Sequence, residues 1–232
     1  MSLTLHHHPL ASFCHKVLIA LYENSTPFRG AIVDYGDEKS RTEFFALWPL
    51  GKIPVLRDER LGHTLPETTI IIEYLDQHYP GAQPLLPLDE ALRLETRLWD
   101  RFFDFYIHAP MQKIVSDHRR ADGGKDPLGV DEARAMLRTA YAMLDRRMAD
   151  KTWVIGDAFS MADCAAAPAL FYAGIVAPFS GAYPNVAAYF DRLTERRSFR
   201  RTLAEARPYF HLYPFAADIP AHLLIDDAAA AP

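Results

Sequence analysis

Apolar and polar positions change rhythm about a third of the way along the chain. Up to about residue 80, short alternating runs are interleaved with helical ones. Residues 3–7 read as a strand, and Val17, Leu18, Ala20 and Leu21 recur at helical spacing within a helix over 13–23. A second strand is expected over 28–33, a short helix over 42–47 and a third strand over 53–57. The turn at Arg60-Leu61-Gly62 leads to a brief fourth strand at Thr64-Leu65. A helix over 67–78 follows, with Ile70, Ile71, Tyr74 and Leu75 on one face. That order suits a small mixed sheet with helices on its faces.

Pro80, Gly81, Pro84 and Pro87 then interrupt all periodicity, which is the signal of a linker. Everything beyond reads helical. Leu94, Leu98, Phe102, Phe105 and Tyr106 mark a helix over 90–109, bent or interrupted by Pro110. Residues 119–129 are polar and contain glycine, so a loop is expected. Ala133, Leu137, Tyr141, Leu144 and Met148 mark a helix over 131–148, and further helices are expected over 161–173 and 185–196. From about Phe215 the pattern fades into an Ala-rich tail. The expected division is therefore 1–83, a linker over 84–89, a helical domain over 90–214 and a tail over 215–232.

Half of the 232 residues are apolar, enough for a sizeable core, and the formal net charge is −5. Nucleic-acid binders carry a basic face, and here Lys and Arg are scattered or interleaved with acids, which argues against such a partner. Two cysteines, Cys14 and Cys164, give no disulfide framework and fit a reducing compartment. No signal peptide and no membrane span are expected; the apolar stretch 165–178 is short, and Pro168 and Pro178 punctuate it, so it reads as a buried helix. His6, His7 and His8 point alternately to opposite faces of a strand and have no companions at zinc-site spacing, so no metal site is expected.

Three segments carry candidate chemistry. In Trp48-Pro49-Leu50-Gly51-Lys52-Ile53-Pro54-Val55-Leu56, a proline opens a strand. Either this is an ordinary edge strand, or a cis bond offers the Ile53 backbone to an extended ligand that pairs as an added strand. In Leu65-Pro66-Glu67-Thr68-Thr69, Thr68 stands at a helix start, where an anion is favoured, and Glu67 beside it suits an ammonium; the simpler alternative is a cap and a dipole complement. In His8-Pro9-Leu10-Ala11-Ser12-Phe13-Cys14-His15-Lys16-Val17, a hydroxyl or thiol at a helix start can stabilise a neighbouring thiolate. Ser12 otherwise serves as a plain N-cap and Cys14 as a small buried hydrophobe.

The order of these segments resembles the N-terminal domain of cytosolic glutathione transferases, of a bacterial type with a zeta/omega-like first loop. The helical half is similar as well: Gly156-Asp157-Ala158-Phe159-Ser160-Met161-Ala162-Asp163 resembles the family's N-capping box and staple, in which Ser160 and Asp163 cap reciprocally. The resemblance implies an α/β thioredoxin-like N-terminal domain plus an all-α C-terminal domain. It also implies glutathione as co-substrate, with the Ile53 backbone beside a cis Pro54 on its cysteinyl part and Glu67 and Thr68 on its γ-glutamyl end. Ser12, or alternatively Cys14, would meet the sulfur. The implied reaction adds the glutathione thiolate to a small, largely apolar electrophile, in a cytoplasmic homodimer of the detoxification type with no metal or nucleotide.

For the second substrate, the candidates are Phe13, Phe103 and Tyr106, with Phe102 and His108 nearby on the same predicted helix. Two departures stand out. Ala11 occupies the position at the head of the loop where relatives carry the catalytic serine or cysteine, so Ser12 lies one place off. Trp48 stands where asparagine is more usual. Two alternatives stay open: thiol–disulfide exchange through Cys14, and a non-catalytic protein that binds glutathione or hydrophobic ligands.

Overall fold

The computed structural model describes residues 2–224. Four strands, β1 (Leu3–His7), β2 (Arg29–Ile32), β3 (Val55–Asp58) and β4 (His63–Leu65), form one mixed sheet in the order β2-β1-β3-β4. β1 runs parallel to β2 and antiparallel to β3, which in turn pairs antiparallel with β4. The parallel pair needs a crossover, and α1 (Ser12–Glu23) supplies it. α2 (Glu38–Leu47) and α3 (Thr68–His78) complete the domain. Leu3, Leu5, Val17, Leu18, Leu21, Leu56, Ile71 and Leu75 close its core between sheet and helices. This is the thioredoxin-like arrangement the resemblance implied.

The second domain is helical: α4 (Glu90–Phe102), α5 (Ala109–His118), α6 (Pro127–Arg147), α7 (Met161–Val176), α8 (Pro184–Glu195) and α9 (Arg197–Ala206). α7 lies at its centre, with every residue buried except Gly174. Its alanines at 165, 166, 167, 169 and 173 let neighbouring helices approach closely, α1 of the first domain among them. The apolar run around residue 165 is thus a core helix, and among the described residues no helix is long and apolar enough to cross a membrane.

Several elements differ from the sequence pattern. The helix expected over 90–109 gives way at Phe103 to a π-helical turn, Phe103–His108, in which the Ala109 N–H bonds to the Asp104 carbonyl five residues back. Pro110 then sits in the first turn of α5, where its missing N–H costs nothing. The interruption precedes the proline, because the wider turn takes up the carbonyl its ring would strike. The stripe on α4 does not all point inward: Phe102 is buried, whereas Leu94 and Leu98 are 69% and 64% exposed. On α3, Ile70 faces out and Ile72 faces the core.

α9 was hidden by its five flanking and internal arginines, yet Phe199, Thr202, Leu203 and Ala206 are buried at helical spacing. Past it, residues 215–224 hold two 3-10 turns, Ala216–Asp218 and Ala221–Leu223, with Ile219 buried. The remainder of the expected tail, 225–232, lies outside the described residues.

Candidate active site

The cleft between the domains is built from the loops at one end of the sheet. Gly51 closes the turn after α2 with φ +63°, and a β-carbon there would collide with the Phe45 ring, so only glycine fits. The Tyr35 hydroxyl donates to the Gly51 carbonyl at 2.7 Å and holds that turn. Next comes Ile53–Pro54, whose peptide bond is cis. Glu67 precedes α3 at φ +68°, an unfavourable backbone conformation for a residue with a β-carbon, of a kind that gathers at functional sites. Thr68 is the first residue of α3.

Phe13, Ile53, Pro54, Glu67 and Thr68, five of the sequence candidates, line one cleft of about 230 Å³. Trp48 and Lys52 join them from the turn, and Arg101, Asp104 and Phe105 close the far wall from the helical domain. The Arg101 guanidinium lies 5.5 Å from the centre of the Phe105 ring and pairs with Asp100 and Asp104 at 2.7 and 2.6 Å. One wall is therefore polar and backbone-rich, and the other presents aromatic edges around an internally balanced charge cluster. A larger cavity of about 520 Å³, between residues 82–87 and the 153–160 loop, contains none of the candidate residues.

The remaining candidates lie elsewhere. The Ser12 hydroxyl lies 2.5 Å from Nε2 of His108, and the residue is buried rather than part of the cleft lining. Cys14, one turn into α1, is fully buried, and burial pushes its thiol up to about 12. A thiol so placed is held against ionisation near neutral pH, which weighs against exchange through Cys14. Neither cysteine is expected to take up iodoacetamide in the native protein at neutral pH, whereas both label in guanidinium; mass spectrometry of the two samples checks this.

Phe103 is wholly buried against Trp99 and Phe102, so it belongs to the helical core and not to a substrate pocket. Tyr106 is half exposed, packs on Phe102 and lies outside the cleft lining; Phe105, one residue before it, takes the wall position. The π-helical turn sets this arrangement, because it shifts the helical phase on which the aromatic stripe was assigned.

Behind the cleft, Lys16 is fully buried, with its Nζ 2.7 Å from Asp100 and 2.9 Å from Asp104. Thr69 donates to Asp100 at 2.6 Å and also meets Arg101. The polar seam thus ties α1, α3 and α4 together across the domain boundary. A lysine amid apolar neighbours in the Phe13 to Leu21 stretch, and two acids four residues apart, Asp100 and Asp104, were the available sequence signals.

Comparison with known proteins places these features in a family. The family model for the glutathione S-transferase N-terminal domain matches residues 5–83, and that for the C-terminal domain matches residues 127–192. FtsZ-localized protein A of Caulobacter vibrioides is 31% identical over 219 residues, covering 88% of this chain and 92% of the relative. The chain belongs to the glutathione S-transferase family. Glutathione S-transferase GstB of Escherichia coli K12 is 27% identical over 191 residues, covering 81% of this chain and 91% of the relative.

Among solved structures, a glutathione S-transferase from Methylobacillus flagellatus with GSH bound superposes with a TM-score of 0.80 at 25% identity, covering 87% of this chain and 98% of that one. One from Methylobacterium radiotolerans in complex with glutathione sulfonate gives 0.74 at 26%, covering 86% and 93%. Within this glutathione transferase the N-terminal match includes the Gly51 turn, the cis Pro54, Glu67 and Thr68.

Proposed function

We propose that this transferase binds reduced glutathione along the Ile53–Pro54 backbone and transfers it, as a thiolate, to a small and largely apolar electrophile. The observation that carries this reading is the gathering of Ile53, Pro54, Glu67, Thr68 and Phe13 around one cleft. Glu67 offers a carboxylate to the γ-glutamyl ammonium, while Thr68 and the start of α3 suit the neighbouring carboxylate. The sulfur then lies toward the start of α1, beside Ser12 and Phe13. The first N–H groups of a helix have no partners within it, and together with the dipole they favour a sulfur anion. With the Ser12 hydroxyl engaged by His108, those backbone groups are the main donors in this account. Holding both reactants in one cleft contributes proximity, and a lowered thiol pKa contributes reactivity at neutral pH.

Phe13, Trp48 and Phe105 give the electrophile an apolar contact surface. Two free, buried thiols suit a cytoplasmic setting. A homodimer would cover the apolar side chains that α3 and α4 leave exposed, Ile70, Leu94 and Leu98; small-angle scattering that returns the mass of one chain would rule it out.

Isothermal titration with reduced glutathione tests the reading. Saturable binding is expected in the native protein, with a loss of at least about tenfold in affinity for the Glu67→Ala, Thr68→Ala double variant, as removal of a charge-assisted contact predicts. No binding at millimolar glutathione would sink it. A second reading, a non-catalytic binding protein, is favoured by Ala11 at the head of the loop and by the engaged Ser12 hydroxyl. Saturable glutathione binding with no turnover of any electrophile in a broad panel would establish that alternative.

A further inference from the structure

The first turn of α1 has an unusual anchor. Its N-cap is Ala11, which offers no side-chain bond to the turn. The hold comes instead from the other domain. His108 ends the π-helical turn, is fully buried, and sits 2.5 Å from the Ser12 hydroxyl through Nε2. Its ring also stacks on Phe13, with centroids 4.0 Å apart and planes 5° from parallel. Phe13 in turn lines the cleft. One imidazole therefore grips two consecutive residues of the turn, and its Nδ1 is buried without a hydrogen-bond partner. Burying an unpaired ring nitrogen is unfavourable for stability alone.

We propose that His108 is a positioning residue of the thiol site: from the helical domain it fixes the first turn of α1, and so aims the free N–H groups of Ser12 and Phe13 at the glutathione sulfur. This inference rests on the glutathione reading above. The physical step is short. A backbone N–H stabilises an anion steeply according to distance and angle, so a loosened first turn loses stabilisation of the thiolate more than it loses grip on the rest of the ligand. The charged and titratable groups that act on His108 are Lys16 and His15 from α1, and Lys16 is itself paired with Asp104 of the same turn as His108. Burial, then Lys16 and His15, hold the imidazole down at about 3, so it stays neutral through the working range. Titration seen near neutral pH then belongs to the bound thiol and not to this imidazole.

The test compares native protein with His108→Phe, His108→Gln and Ser12→Ala. Three readouts are taken: glutathione affinity by calorimetry, the pKa of bound glutathione by ultraviolet thiolate absorbance, and kcat against KM. His108→Phe keeps a stacking ring and removes the bond to Ser12. It is expected to raise the bound-thiol pKa by about one unit and lower kcat about tenfold at neutral pH, with affinity changed less than about twofold. His108→Gln, whose amide can still reach Ser12, is expected to restore most of both. Ser12→Ala, a small deletion that leaves the core packed, should shift the thiol in the same direction and carries the test if His108→Phe fails to fold.

An unmoved thiol pKa in His108→Phe or, should that variant not fold, in Ser12→Ala would overturn the proposal. So would a lower one in His108→Phe, because freeing the Ser12 hydroxyl would then have improved the site and made that hydroxyl the activator. Native protein that binds no glutathione overturns the functional reading itself, an outcome separate from any difference between variants.

Discussion

Lys16→Met is expected to destabilise the protein by about 3–5 kcal/mol, the usual cost of removing one partner from a buried ion pair. The substitution keeps the length of the side chain and deletes only its charge. Lys16 and Asp100 are both wholly buried, and Asp104 is nearly so. Without the ammonium, two carboxylates of the helical domain stay buried side by side with Arg101, 40% exposed, as the cation between them. Urea unfolding measures the loss. Lys16→Met combined with Asp100→Leu removes one charge of each sign and leaves Asp104 with Arg101, so the double variant should recover much of the deficit. The sign of that coupling is the informative quantity. A single-variant loss below about 1 kcal/mol would mean that water or rearranged side chains replace the ammonium, and that the seam is solvated in solution. Because α1, α3 and α4 meet at this seam, folded Lys16→Met should also bind glutathione more weakly than native protein.

Much of the architecture was legible where a single face of an element meets a single core. β1 and α1 appeared within a residue of their observed limits because Leu3, Leu5, Val17, Leu18 and Leu21 all face the same cluster. The cleft residues were legible for a different reason. Pro54, Gly51 and Thr68 announce backbone geometry, and geometry at loop ends is local. What stayed hidden depends on tertiary partners. Phe103 and Phe105 are two residues apart on one predicted helix, and only the π-helical turn decides which faces the core and which the cleft.

Ser12 shows the same limit. A hydroxyl at the start of a helix reads as a cap or an activator, and the histidine that engages it lies 96 residues away. Lys16, Asp100 and Asp104 are individually common surface residues, and their burial follows from pairing across domains that no single segment displays. Exposed Leu94 and Leu98 err in the opposite direction: helical spacing shows that a face is apolar, but not what covers it.

Asp163→Ala is expected to cost about 4 kcal/mol or more, because one carboxylate satisfies four donors and each buried donor left unpaired costs about 1–3 kcal/mol. Oδ1 accepts from the Val154 N–H at 3.0 Å and the Tyr189 hydroxyl at 2.5 Å, while Oδ2 accepts from the Ser160 N–H and hydroxyl, each at 2.9 Å. Ser160 and Asp163 form the capping box that the sequence announced, yet the box is the smaller part of the effect. Ser160→Ala, which deletes one donor along with its acceptor role, should cost only about 1 kcal/mol, the usual value of an N-cap. Asp163→Asn tests the difference in kind: its amide group presents hydrogens to two donors and accepts from neither, so it should fall much closer to the alanine variant than to native protein. The location gives the effect its reach. Asp163 lies in the first turn of α7, the helix that packs against α1, α4, α5 and α8, so a frayed first turn there exposes Tyr189 and Val154 and loosens the scaffold behind the cleft. Denaturant titration of the three variants measures the series. If Asp163→Ala lost no more than Ser160→Ala, the four bonds would be worth only one cap, and the buried donors would have to find other acceptors.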